Sequence, residues 1–242
     1  MSGLCCSGLL VCVIVYLIAR NGDCSGRDTA PIAFASGQGG IVMKVRSDSF
    51  DDNARIPGTF AYGVPDAVHH VRAGANSNPH LAWDEVPAGT RSFAVVCCDP
   101  DVPHTGSDVN IEGRTVPEEL PRNDFYHLVL FDIPADVRQI AAGSLQTTHG
   151  RSGPAAPHNA RYGLNDFSSA GNDHYGYDGP CPPWNDQRIH HYVFTVSALD
   201  VERLPLRQAV NGKRLREAMA GHVLGQADLV GTYTLNSGLS SN

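Results

Sequence analysis

The chain has 242 residues, of which 42% are hydrophobic and 18% are charged, a balance that excludes wholesale disorder and allows one sizeable domain. Its 25 glycines and 16 prolines favour a loop-rich globular fold rather than a fibre. The formal net charge of −7, with no basic block, argues against nucleic-acid binding through phosphate neutralisation. We therefore predict no nucleic-acid partner, and any anionic ligand must be held in a local pocket.

The N-terminal segment, residues 1–20, is predicted to be a signal peptide or a membrane anchor. It has no charged side chain before Arg20, and an uninterrupted apolar stretch covers residues 4–19. That length falls between the core of a signal peptide and a short membrane span. We expect an exported or membrane-anchored protein on the periplasmic or extracellular side, which meets the membrane through this segment if it is not cleaved. A wrongly assigned start codon is the alternative.

Residues 21–40 are polar and rich in Gly, Ser and Asp, which predicts a linker. The remaining body, residues 41–236, shows no internal repeat and no strong boundary, so we expect a single domain there. Five runs rich in β-branched or aromatic residues predict strands at residues 41–45, 92–98, 125–131, 191–199 and 227–235. Two long irregular connections, residues 100–123 and 142–186, separate some of these strands. Long loops in a compact domain are often functional, so we expect the site there.

One segment near the C-terminus has helical character. Asn211 is suited to an N-cap, and Gly225 is expected beyond the helix end. Residues at helical spacing follow the cap at Leu215, Ala218, Met219 and His222. Many strands and few helices together predict a mainly β fold rather than a βαβ repeat.

The first candidate site is the sequence Asp-Pro-Asp-Val-Pro at residues 99–103, directly after a predicted strand. On a period of two, Asp99 shares a face with Phe93, Val95 and Cys97, so its carboxylate would end a buried row. The prolines stiffen the turn and fix the direction of both carboxylates. The alternative is an ordinary turn that ends a strand.

Two histidine strands supply the other candidates. His127 lies in a run that is apolar on both faces, so we expect it to point inward beside Val129 and Phe131. A buried histidine needs hydrogen-bond partners, either within the core or on a ligand. His190 and Tyr192 share one face of their strand and could meet a ligand together, whereas the intervening histidine faces solvent.

A proline-rich loop at residues 176–183 precedes the second histidine strand. Its prolines cannot donate hydrogen bonds, which leaves few backbone N–H groups free for an anion or a carbonyl. The loop contains Cys181. Because Cys97 and Cys98 are adjacent on a strand, they point to opposite faces and would not readily pair with each other. A bridge from either one to Cys181 remains open.

Four blocks in this order resemble the phosphatidylethanolamine-binding protein family, and within it the bacterial and archaeal branch called Raf-kinase-inhibitor-like. They are residues 78–103, 126–140, 176–200 and 227–234. The resemblance implies a large central antiparallel sheet packed by a smaller sheet, with few peripheral helices. It also implies a shallow pocket for phosphate or a phosphorylated head group. The ligand-binding residues it implies are Asp99, Asp101, Pro103, His127, Cys181, Pro182, His190 and Tyr192.

The resemblance implies a non-catalytic binding protein that needs no cofactor and no metal. Two histidines would offer N–H donors to the ligand, and Asp99 would orient one of them. A protein partner, either a kinase or a protease, is a further expectation. The alternative is a hydrolase or metalloenzyme that uses the same His and Asp cluster. The sequence contains neither a His-Glu-x-x-His motif nor a Gly-x-Ser-x-Gly elbow to favour it.

Overall fold

The computed structural model describes residues 42–145, 147–149, 154–168, 172–207 and 210–239. The predicted N-terminal segment and the predicted linker lie outside these ranges. Within them, no helix is long and apolar enough to cross a membrane.

Strands dominate the described residues, together with one α-helix, α1 (Gly212–Met219), and two short 3₁₀ turns. The first seven strands are β1 (Lys44–Arg46), β2 (Ala54–Arg55), β3 (Gly63–Asp66), β4 (His70–Ala73), β5 (Leu81–Asp84), β6 (Ser92–Pro103) and β7 (Arg122–Pro134). The others are β8 (Gln139–Ile140), β9 (Thr148–His149), β10 (Arg161–Tyr162), β11 (His174–Tyr175), β12 (His190–Leu199) and β13 (Val223–Tyr233). Three short strands, β9 to β11, therefore lie inside the connection predicted to be irregular.

The central sheet has six strands in the order β10-β7-β6-β12-β13-β2. Its neighbours are antiparallel except at one edge, where β2 runs parallel to β13. A smaller sheet has the order β1-β5-β8, and two antiparallel pairs, β3-β4 and β9-β11, complete the described strands. This architecture confirms the predicted mainly β fold with a large sheet and a smaller one.

Alternating side chains on β6 pack into two separate hydrophobic cores. Phe93, Val95 and Cys97 pack in the core that also contains Trp83 of the smaller sheet. Residues of the opposite face pack against α1 in a second core. The predicted two-residue period of this strand is therefore correct, and it places Asp99 on the side of the smaller sheet.

Helix α1 begins after Asn211, whose side chain accepts a hydrogen bond from the backbone N–H of Arg214 at 3.0 Å. It ends at Met219, earlier than predicted, because Gly221 has a φ of +82° and reverses the chain. His222 therefore lies outside the helix, and the glycine predicted beyond its end lies in β13. Leu215 and Met219 are buried against the central sheet, which explains the helical spacing of the apolar residues.

Candidate functional site

A small pocket lies at one end of the inner strands of the central sheet, where β6 ends and β7 and β12 begin. We call it the histidine pocket, and it is lined by Asp99, Val102, Pro103, Phe125, His127, Phe167, Cys181, Pro182, Pro183, His190 and Tyr192. Its volume is about 20 Å³, close to the space that one water molecule needs. In this conformation the histidine pocket admits only one small polar group, such as the tip of a larger ligand.

A β-bulge in β7 directs His127 into the pocket. Cys97 of β6 pairs with Leu128, but the next residue, Cys98, pairs with Tyr126. Two residues of β7 therefore stand opposite one residue of β6, and His127 is the extra one. A bulge of this kind interrupts the alternation of side chains and changes the direction in which a side chain points.

The bulge overturns one prediction from the sequence. We expected His127 to lie on the same face as Val129 and Phe131, yet both of those residues pack in the core under α1. The ring of His127 instead contacts the ring of Tyr192, with a distance of 5.1 Å between the centroids, on the opposite side of the sheet. A strict two-residue period does not account for the inserted residue.

The hydrogen bond of His127 fixes its tautomer. Its Nδ1 lies 2.7 Å from the backbone carbonyl oxygen of Asp178. A carbonyl oxygen only accepts, so Nδ1 carries the proton and Nε2 has a lone pair when the ring is neutral. Burial lowers the pKa of His127 more than the nearby carboxylate of Asp99 raises it, so the neutral form is favoured. The Nε2 atom is buried and has no hydrogen-bond partner among the described residues.

His190 has the opposite environment. Its Nδ1 lies 2.7 Å from Oδ2 of Asp99, and its Nε2 lies 3.1 Å from Oδ2 of Asp186. Burial alone would lower the pKa of His190, but the two carboxylates together raise it to about 9. Because this pKa lies above neutral pH and the side chain is 0% exposed, His190 is a buried cation at pH 7. Both of its N–H groups are already engaged, and neither is available to a ligand.

An arginine completes this buried charge network. Arg122, at the start of β7, donates from both terminal nitrogens to Asp186, at 2.5 and 3.0 Å. It also donates to the backbone carbonyl of Asp101 at 2.8 Å. Two carboxylates and two cations therefore alternate from Asp99 through His190 and Asp186 to Arg122. Their charges balance, so this side of the pocket has no net positive charge.

The Asp-Pro-Asp-Val-Pro turn separates the roles of its two carboxylates. Asp99 faces the pocket, and its Oδ1 accepts the backbone N–H of Asp101 at 2.8 Å. The carboxylate of Asp101 points away, accepting from the backbone N–H and Nδ1 of His191 at 3.0 and 2.8 Å and from Arg188 at 3.2 Å. Burial would raise the pKa of Asp101, but these donors hold it below its usual value. Asp101 shapes the turn without lining the pocket.

Tyr192 lies beside His127, and its hydroxyl is close to the carboxylate of Asp99. Its hydroxyl is buried and makes no hydrogen bond of standard geometry with the described residues. Burial, together with the nearby carboxylate of Asp99, raises the pKa of this hydroxyl well above its usual value. The rings of Phe125 and Phe167 lie 5.1 and 5.5 Å from the His127 ring and form the apolar wall. Two polar atoms without partners, in an apolar surrounding, therefore point to a polar ligand group.

Asp178 holds the carbonyl that positions His127. Its carboxylate accepts hydrogen bonds from Asn76 at 2.9 Å, Thr147 at 3.0 Å and Asn165 at 2.8 Å. Burial would raise the pKa of Asp178. These donors, together with Nδ1 of His174 at 3.4 Å from Oδ2 of Asp178, lower it instead. Its backbone N–H also donates to the carbonyl of His127 at 3.1 Å. Both the side chain and the backbone N–H of Asp178 are thus held in place, and they fix the carbonyl that sets the tautomer of His127.

Seven of the eight residues proposed from the sequence meet around one pocket, and Asp101 supports it from outside. The expected N–H donors are absent, because His190 is saturated by carboxylates and His127 presents a lone pair. Asp186 and Arg122 were not identified as site residues from the sequence. The only feature of the sequence that could have indicated them is their position, since each lies where a long loop meets a strand.

The remaining chemistry of the described residues is limited. Cys97, Cys98 and Cys181 are buried and no disulfide joins them. Burial raises the pKa of the Cys97 thiol well above its usual value, so it is an unreactive core residue. Within the described ranges, no group of three or more His, Cys, Asp or Glu side chains is placed to hold a metal ion.

Comparison with known proteins identifies relatives along most of the chain. A family model for phosphatidylethanolamine-binding protein matches residues 46–234. The UPF0098 protein of Aquifex aeolicus is 31% identical over 197 residues, which cover 81% of this chain and 90% of that relative. The UPF0098 protein YbhB of Escherichia coli is 35% identical over 161 residues, which cover 66% of this chain and 84% of YbhB.

A solved structure shares the fold. The crystal structure of Escherichia coli YbcL, described as a new member of the mammalian PEBP family, superposes with a TM-score of 0.60 and 28% identity. The match covers 79% of this chain and 98% of YbcL. Sequence and structure thus agree on the same set of relatives.

Proposed function

Because the chain belongs to the phosphatidylethanolamine-binding protein family, in its bacterial and archaeal branch, we propose that it is a non-catalytic binding protein for a small phosphorylated ligand. The ligand is phosphate or a head group that ends in phosphate, and its tip enters the histidine pocket. The observation that carries the proposal is the buried Nε2 atom of His127, which has no partner among the described residues.

The chemistry of a phosphate monoanion matches the two polar atoms that lack partners. An unsatisfied buried polar group costs about 1 to 3 kcal/mol, so a ligand that supplies the missing partner gains binding energy there. The lone pair of His127 Nε2 needs a donor, which a P–OH group supplies. The hydroxyl of Tyr192 needs an acceptor, which the oxygen of the same P–OH group supplies. The apolar wall excludes water and strengthens both hydrogen bonds.

Support for binding rather than turnover comes from the state of the titratable groups. Both N–H groups of His190 are held by carboxylates, and one oxygen of Asp99 is held by His190 and the other by the turn. General acid–base catalysis needs a group that can exchange a proton with the substrate, and the saturated His190 and Asp99 are not suited to that role. His127 keeps a free lone pair, which we assign to binding. The sequence expectations of export or anchoring through residues 1–20, and of a kinase or protease partner, stay predictions.

The test is calorimetric titration of inorganic phosphate and of phosphorylethanolamine into the full-length protein between pH 6 and pH 8. Above its second pKa the free phosphate is a dianion, but the complex contains one further proton, which is shared between the ligand and His127. Binding therefore takes up one proton. Affinity should therefore rise as the pH falls, by up to about tenfold per pH unit above the second pKa of the ligand, which is near 6 for a monoester and higher for inorganic phosphate. Repeating the titration in buffers of different ionisation enthalpy counts the protons taken up.

Two variants locate the binding. His127→Gln should weaken binding of both ligands at least tenfold, and His222→Gln, which changes a histidine far from the pocket at the surface, should leave it unchanged. Equal affinity of His127→Gln and the unmodified protein, or no binding of either ligand to the unmodified protein, would overturn the proposal.

A further inference from the structure

A second cavity lies on a different part of the molecule. It is a groove of about 510 Å³, formed by the segment after β2, the β3-β4 hairpin and the end of β13. Cavities of 300 to 1,000 Å³ are typical of small-molecule sites. This groove shares no lining residue with the histidine pocket and is much larger.

Two arginines line the groove without an acidic partner. Neither Arg55 nor Arg72 has a carboxylate within 4.0 Å among the described residues, although most other arginines of the sheets form ion pairs. The carboxylate of Asp66, on the same hairpin as Arg72, accepts backbone N–H groups of Val68 and His69 at 3.0 and 2.8 Å and interacts with Arg72 only through the weaker effect of its charge at a distance. Two like charges that share a concave surface concentrate positive potential there.

The apolar floor of the groove has the exposed side chains of Pro57 and Pro65 at its surface. Ile56 is fully buried, and Tyr233 is 2% exposed and lies under the guanidinium of Arg55, 5.7 Å from its Cζ to the ring centroid. This contact leaves the guanidinium N–H groups available at the edge of the groove, because a cation–π contact uses the face of the ion. Gly58 and Gly74 form part of the wall.

We propose that this groove, here called the arginine groove, is a second ligand site that binds a phosphate monoester with an apolar or aromatic body. The two guanidinium groups hold the phosphate, since arginine donates paired hydrogen bonds that match phosphate oxygens. The body of the ligand lies against the exposed side chains of Pro57 and Pro65. The arginine groove rests on its own residues and does not depend on the histidine pocket.

The test is an NMR titration of the full-length, ¹⁵N-labelled protein with phenyl phosphate and with inorganic phosphate. The backbone amides of Gly58 and Gly74 report on the arginine groove, and those of His127 and Tyr192 report on the histidine pocket. We expect saturable shifts at the groove amides, with phenyl phosphate binding more tightly than inorganic phosphate because of the apolar floor.

A double variant and a control of equal charge decide the outcome. Arg55→Gln with Arg72→Gln should raise the dissociation constant measured at the groove amides at least tenfold. Arg203→Gln with Arg214→Gln removes the same charge from exposed positions elsewhere and should change it less than twofold. Equal weakening in the two doubles would show an effect of net charge only and would overturn the proposal, as would the absence of shifts at the groove amides.

The same spectra separate this site from the proposed function. His127→Gln should leave the groove shifts unchanged. If it abolishes them, the arginine groove is not an independent site and the proposal fails. If only the shifts at the histidine pocket are missing in the unmodified protein, the proposed function fails while the groove stands.

Discussion

The two sides of the histidine pocket differ in how completely their polar groups are paired. On one side, His190 is a buried cation between the carboxylates of Asp99 and Asp186, and Arg122 closes the network. On the other side, His127 is neutral, with one nitrogen on a backbone carbonyl and the other without a described partner. The first side therefore holds the structure together, and the second is the side to which the proposed function assigns the ligand.

The largest effect should follow from breaking the paired side. His190→Ala leaves Asp99 and Asp186 buried with one cation fewer, and such a change costs about 3 to 5 kcal/mol of unfolding free energy. Chemical denaturation measures this loss. His191→Ala is the matched control, because His191 is half-exposed and its pair with Asp101 should contribute no more than about 1 kcal/mol. Equal losses in the two variants would contradict a structural role for the buried cation.

The pH dependence of stability should reveal the same cation. The folded pKa of His190, about 9, exceeds the usual value of 6.5, so its contribution is fully present below pH 6.5 and is lost as the pH rises through 9. Its size is on the order of 3 kcal/mol. The unfolding free energy should therefore fall between pH 7 and pH 10. A flat profile over that range would rule out a charged, carboxylate-paired His190.

The unfolding free energy should also fall at acid pH, because two buried carboxylates become protonated there. The pKa values of Asp178 and Asp186 are lowered in the folded protein, because hydrogen bonds and cations outweigh the effect of burial. Their contributions are present above the usual value of 3.8 and are lost as the pH falls through the lowered folded values. Unfolding measured between pH 5 and pH 2 should show a progressive loss, and constant stability down to pH 2 would contradict it.

A smaller effect should come from the support of His127. In Asp178→Asn, the new amide group faces donors of Asn76 and Asn165, which should cost about 1 to 3 kcal/mol of unfolding free energy. The pKa of His127 should change as well, because its carbonyl partner moves. Asp173→Asn, in the same loop, controls for loss of charge and should leave the pKa of His127 unchanged. A destabilised Asp178→Asn with an unaltered His127 pKa would show that Asp178 is structural only.

The smallest effect on stability should come from the unpaired side. Tyr192→Phe removes a hydroxyl that has no described partner, so the unfolding free energy should change by less than about 1 kcal/mol. Affinity for phosphate should nevertheless fall about tenfold. Tyr177→Phe is the control, because the Tyr177 hydroxyl donates to the carbonyl of Phe60 at 2.9 Å. It should lose stability by about 1 kcal/mol and keep phosphate affinity. The reverse pattern in the two variants would contradict the division between the sides.

Local patterns in the sequence predict the four long strands of the central sheet, β6, β7, β12 and β13, and the helix, but not most of the short strands. The alternation on β6 and β12 and the N-cap at Asn211 depend on near neighbours, and the structure shows each of them. The direction of His127 depends on the register between two strands, which a single strand does not reveal. The one inserted residue at the bulge reverses the prediction.

The composition of the site was easier to predict than its protonation. The eight predicted residues come from strand ends and loops that the fold brings together. Whether His190 donates to a ligand, however, depends on its pairing with Asp99, which lies 91 positions away along the chain. Such long-range pairs have no local sequence pattern, and they decide which histidine is saturated.

The central claim, a charged His190 facing a neutral His127, is tested most directly by ¹⁵N NMR of the two imidazole rings in the ligand-free, full-length protein. Their signals are assigned by their absence in His127→Gln and His190→Gln. At pH 7.5 the account predicts two protonated nitrogens on His190. It predicts a proton on Nδ1 and a lone pair on Nε2 of His127. A neutral His190, or a doubly protonated His127, would contradict the account.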